Sequence, residues 1–132
     1  MPMLDAALFL CTVAGVIDGD SLRCKDGVRV ALHAIDAPPL DGCGKRGGCA
    51  AVDPGKARQA LTRITLGKTL RCERTGKREG LVTAWCRVAG ADVSCALYRG
   101  GWAVRVAEND RPRRLCRHRS LVPTNFLPNA EQ

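Results

Sequence analysis

Aromatic residues are scarce in this 132-residue chain: Phe9, Trp85, Tyr98, Trp102 and Phe126 make up 4% of it. So few rings exclude an extended stacking platform for nucleic-acid bases. No window of about 18 apolar residues occurs, which excludes a helical membrane span and a membrane partner of that kind. No Cys-x-x-Cys pair occurs, so the usual zinc-ribbon and thioredoxin spacings are missing. Cys116-Arg117-His118 is a lone Cys-x-His with no second pair. The only histidines are His33 and His118, and nothing in their spacing marks either as a general base. No internal repeat or low-complexity segment is found.

What is present is basic and foldable. Hydrophobic residues reach 45%, enough for a core and too many for a disordered chain. The length suits one domain. We take residues 1–106 as that domain, expected to be monomeric, and residues 107–132 as a basic C-terminal extension packed on it or trailing from it. With 21 Lys plus Arg against 13 Asp plus Glu, the formal net charge is +8. A surplus of that size on a small domain points to a polyanionic partner.

Eight cysteines stand at Cys11, Cys24, Cys43, Cys49, Cys72, Cys86, Cys95 and Cys116. An even count at this density reads as disulfides, and so as a secreted or periplasmic location. Spacing alone fixes no pairing, since eight cysteines allow about 105 of them. The start, Met1-Pro2-Met3-Leu4-Asp5, has no Lys or Arg, so no signal peptide is read in this chain.

Local patterns give the order of elements. Residues 8–17 are apolar and β-branched and predict a strand. Asp18-Gly19-Asp20 is turn chemistry, with Gly expected to supply positive φ and Asp to cap its own backbone. Ser21–Cys24 resumes a strand, Lys25-Asp26-Gly27 makes a second turn, and Val28–Ile35 predicts a third strand. Residues 36–52 read as a loop. Asp53-Pro54 opens a helix as N-cap and first helical residue, and Ala57, Ala60, Leu61 and Ile64 keep helical spacing until Gly67. Lys68–Glu73 predicts a strand, Arg74–Gly80 a polar turn and Val82–Val88 another strand. Asp92 starts a short helix closed by Gly100-Gly101. The fold class is therefore mainly β with α: a five-stranded OB-fold-type barrel, one helix after strand 3 and a short one after strand 5. Trp85 and Trp102 are expected to pack in the core.

Val16-Ile17-Asp18-Gly19-Asp20-Ser21-Leu22 resembles the opening signature of the thermonuclease family, the staphylococcal-nuclease-like domains. Ile35-Asp36-Ala37-Pro38 is similar to its second signature. Gly90-Ala91-Asp92-Val93 with Leu97-Tyr98-Arg99-Gly100-Gly101-Trp102-Ala103 is similar to its third. The likeness spans about residues 11–106. The cysteines resemble those of a secreted bacterial branch, which implies the pairs Cys11–Cys24, Cys43–Cys49, Cys72–Cys86 and Cys95–Cys116.

That resemblance implies a Ca²⁺-dependent phosphodiesterase. Its cation would sit on Asp20, Asp36 and the Ala37 carbonyl, with Asp18 as an outer carboxylate; hard oxygen donors suit Ca²⁺. From spacing alone, Asp18 and Asp20 would merely cap a turn. The family also needs a Glu to handle water and two Arg to clamp phosphate. Those three positions read Pro39, Ala31 and Leu81 here. Pro and Ala move no proton and Leu clamps no phosphate. No catalytic set is intact, and Ca²⁺ is expected to be weakly held or absent. Arg29, two residues before Ala31, shares its strand face and is the nearest substitute. Arg78 lies close to Leu81 in the predicted turn, and Asp41 and Glu79 are the nearest spare carboxylates. Arg29, Arg78, Arg105, Arg111, Arg113 and Arg114 are the candidates for holding DNA or RNA.

Three functions stay open. The first is a nuclease-like domain, catalytically impaired, that binds nucleic acid or another polyanion. The second is an active Ca²⁺-dependent nuclease using displaced groups such as Arg29. The third is a disulfide-stapled protein-interaction module.

Overall fold

The structure, a computed structural model, describes residues 7–37, 53–106 and 114–117. Three strands open the chain: β1 (Leu8–Asp18), β2 (Ser21–Cys24) and β3 (Arg29–Leu32). They pair as an antiparallel meander, with Val16 opposite Leu22 and Leu22 opposite Val30. The second turn behaves as its sequence predicts: Gly27 takes φ 93°, a conformation open to glycine at little cost.

The third strand is shorter than its apolar run suggested. It stops at Leu32 because Ala34 adopts φ 72° and turns the chain. Ile35–Asp36 is a separate strand, β4, which pairs with β8 (Val104–Arg105) in a second small sheet. The first helix, α1 (Pro54–Thr65), starts where capping predicts: Asp53 accepts the Lys56 N–H at 3.1 Å. Its buried face is Ala57, Ala60, Leu61 and Ile64. The small alanines let the helix lie close to the barrel, and Arg58 Nε ties it to the Val16 carbonyl at 3.0 Å.

β5 (Thr69–Arg78) and β6 (Leu81–Val88) form a long hairpin. Here the sequence reading needs a second correction. Residues 74–78 are strand, not turn, because cross-strand partners in β6 satisfy their backbone groups as far as Arg78 opposite Leu81. A bulge between Arg74 and Gly76 absorbs the irregularity. The turn itself is only Glu79-Gly80, both with positive φ (53° and 83°), the backbone that two-residue hairpins favour. β7 (Ala91–Asp92) follows, and then α2 (Val93–Arg99), capped by Asp92 on the Cys95 N–H at 3.1 Å.

Parallel pairing of β3 with β6, Val30 beside Val82 and Leu32 beside Ala84, closes β1, β2, β3, β5 and β6 into a mixed five-stranded barrel. This is the OB-fold-type architecture, with α1 after the third barrel strand and α2 after the fifth. Leu22, Leu32, Ile35, Leu61, Leu70 and Leu97 fill the interior. Disulfides Cys11–Cys24, Cys72–Cys86 and Cys95–Cys116 staple it, the pairs that the resemblance implied. The Cys43–Cys49 pair lies outside the described residues. Three disulfides suit an oxidising compartment, and no helix among the described residues is long and apolar enough to cross a membrane.

Candidate functional site

The acidic corner is built at the first turn. Asp18 Oδ1 accepts the Ser21 hydroxyl at 2.5 Å and the Asp20 N–H at 3.4 Å, so Asp18 caps the turn. Asp20 is 1% exposed. Its Oδ2 accepts the Ala37 N–H at 3.0 Å, and its carbonyl accepts the Leu32 N–H at 2.8 Å. One residue, through its carbonyl and its carboxylate, thereby joins the turn, the end of β3 and the residue after β4. Asp36 is also buried, and its Oδ1 has no hydrogen-bond partner among the described residues.

Gly19 does not take the positive φ that its turn chemistry suggested. The reason for glycine is space. A Cβ there would stand 2.8 Å from both the Ala37 and Ala57 Cβ atoms. The turn, the β4 exit and the first turn of α1 therefore meet at one point, and only a hydrogen fits between them.

The basic groups gather along the closing seam. Arg29 faces Arg23 across β2 and β3, and Ala31 faces Ser21. Arg29 and Ala31 thus share one face of β3, as alternation requires. The Arg29 Nη2 atom lies 3.4 Å from where a Cβ on Gly80 would stand. Its guanidinium therefore covers the β5–β6 turn, next to Leu81. Arg78 is the last residue of β5, not part of a flexible turn, and its buried Nε has no partner among the described residues. Arg29 and Arg78 flank Leu81, while the Arg23 guanidinium lies over Gly15 on β1. Arg23 was missed in the sequence; its alternation with Ser21 was the signal.

Ala31 is 1% exposed and Leu81 is half-buried, so neither offers charge to a ligand. Pro39, Asp41, Arg111, Arg113 and His118 lie outside the described residues. Arg105 sits in β8 opposite Ile35. Arg114 is engaged at home: Nη1 meets Glu73 Oε1 at 2.9 Å, and its guanidinium carbon stands 4.9 Å from the centre of the Trp85 ring. The disulfide at Cys116 holds this start of the extension on the domain.

His33 is likewise structural. Its Nδ1 shares a 3.0 Å hydrogen bond with the Thr75 hydroxyl, and its ring meets Trp85 edge-on at 4.9 Å. Trp85 is buried, but beneath His33 and Arg114 on the barrel's outside rather than in the core cluster. Trp102 does pack against the core.

The Asp92 carboxyl is pushed above its ordinary value. Burial is the main cause. The Cys95 N–H bond, the charges of Arg87 and Arg114 and a bond from Ser94 oppose it.

Comparison with known proteins finds no matching family model and no matching curated protein.

Proposed function

We propose that this chain is a nuclease-like OB-fold-type domain that binds nucleic acid or a similar polyanion and has lost the groups that cut it. The observation that carries this reading is the seam. Arg29 and Arg78 flank it, while the positions that should complete a phosphodiesterase are a buried Ala31 and an apolar Leu81. Guanidinium groups on a barrel edge suit successive phosphates. Hydrolysis needs in addition a positioned water and charge on the transition state. Loss of a single such contact typically costs about 3 kcal/mol of barrier stabilisation.

A divalent cation fits only a reduced site. Among the described residues no group of three His, Cys, Asp or Glu side chains is placed to hold a metal. The buried Asp36 Oδ1 without a partner, the Asp20 carboxylate and the Ala37 carbonyl are the oxygens that would hold Ca²⁺, with water filling its other positions. When bound there, the cation would lend positive charge to a phosphate oxygen. The chain's own contribution is to orient the backbone through Arg29 and Arg78.

The test is binding of labelled single- and double-stranded DNA and RNA by fluorescence anisotropy between about 50 and 200 mM salt. Affinity should fall steeply over that range, and Arg29→Ala should flatten the salt slope by roughly one contact. Affinity that ignores salt would overturn the reading. The same samples with millimolar Ca²⁺ should show no cleavage. EDTA-sensitive cleavage that disappears in Arg29→Ala would instead establish an active nuclease, the reading favoured by the placement of Arg29 over the Gly80 turn.

A further inference from the structure

On the outside of β1, β5 and β6 a groove of about 580 Å³ runs between two cross-strand rows. One row is Leu8, Glu73 and Trp85; the other is Leu10, Arg71 and Arg87, continued to Asp92. We propose that this groove binds a small amphipathic organic anion, its head on Arg71 and Arg87 and its apolar body along Leu8 and Leu10.

Three observations point to that ligand. First, Leu8 and Leu10 are 59% and 65% exposed although they lie on a paired barrel strand. Scattered exposed leucines need no explanation, but two on the same face of β1, lining one groove, make an apolar wall. Second, Arg71 and Arg87 stand directly opposite each other, and like charges so placed are unfavourable. Arg87 has the Asp92 charge to offset this. Arg71 has no anionic partner among the described residues. Glu73, the one acidic residue lining the groove, already holds Arg114 at 2.9 Å. Three guanidiniums thus meet two carboxylates, Glu73 and Asp92, and the charge of Arg71 is left for an anion. Third, the volume falls in the range of small-molecule sites, roughly 300–1,000 Å³. The groove's lining includes neither Arg29 nor Arg78 of the seam. The inference is therefore independent of the proposed polyanion binding.

Titration calorimetry with decyl phosphate and decanoate below their micelle concentrations, and with decanol below its solubility limit, tests it. Both anions should bind saturably at one per chain, and decanol about ten-fold more weakly or worse, the value of a charge-assisted bond. Whichever anion binds more tightly identifies a phosphate or a carboxylate as the natural head. Arg71→Ala should lose about ten-fold in affinity and Arg71→Lys much less. Leu10→Ser should weaken both anions, and Arg29→Ala should leave them unchanged. Arg71 is exposed, so its replacement should not lower the melting temperature. No saturable binding of either anion, decanol binding as tightly, or full affinity in both Arg71→Ala and Leu10→Ser would overturn the proposal.

Discussion

The Asp20 carboxylate accepts the Ala37 N–H at 3.0 Å, across a gap that sequence distance would never suggest. It is a buried bond to a charged acceptor. Replacing Asp20 by Ala removes it and leaves the Ala37 donor buried. The loss should be about 2–3 kcal/mol, read as a lower midpoint in urea unfolding with an unchanged slope.

The same corner predicts a response to Ca²⁺. A ligand that binds only the folded chain at about ten times its Kd stabilises it by about 1.4 kcal/mol. Millimolar CaCl₂ should therefore raise the melting temperature. Mg²⁺ should raise it less, because it demands stricter octahedral geometry. Asp36→Asn should abolish the shift. A Ca²⁺ response identical in that variant would place the cation elsewhere.

Gly19→Ala should cost about 1–3 kcal/mol, the usual penalty of overpacking, since its Cβ would stand 2.8 Å from two alanine Cβ atoms. Pairing it with Ala57→Gly removes one clash. The double variant should recover part of the loss in the same thermal melt, beyond the helix penalty of the new glycine.

These contacts mark where the sequence could be read and where it could not. Asp53, Pro54 and the helical spacing to Ile64 located α1 closely, because capping and periodicity are local. The barrel followed from strand order. Ala34 was invisible: nothing in Leu32-His33-Ala34-Ile35 announces positive φ, which the pairing of β4 with β8 imposes from far along the chain. Arg74–Arg78 looked like turn because the residues are polar, yet a strand edge facing solvent is polar too. The Asp18 and Asp20 pattern was legible, but its two carboxylates proved to have different uses, one capping a turn and one reaching Ala37. Arg23 and Arg71 were not singled out, since their meaning lies in the strand opposite.

Asp92 gives a pH dependence of definite sign. Its folded value lies above its unfolded one, chiefly through burial. Its protonated form is therefore favoured in the folded chain. The resulting stability is present below its unfolded value, about 3.9, and is lost as pH rises through the folded value. Asp92→Asn keeps a cap oxygen for Cys95 and does not titrate. The stability of the parent chain relative to this variant should thus decline from about pH 4 upward, as measured by urea unfolding in steps of pH. An equal or growing advantage of the parent would contradict the assignment.

Closure of the barrel joins Val30 to Val82 in parallel, partners drawn from opposite halves of the chain. Every other pairing of the barrel is antiparallel. The seam register runs only from Val30–Val82 to Leu32–Ala84, shorter than that of β1 with β5, and so the seam is the first to open. Arg29 meets the Gly80 turn only when it is shut. A phosphate backbone held there would act as a clasp, and the β3 amides should gain more protection from hydrogen exchange in its presence than those of β5.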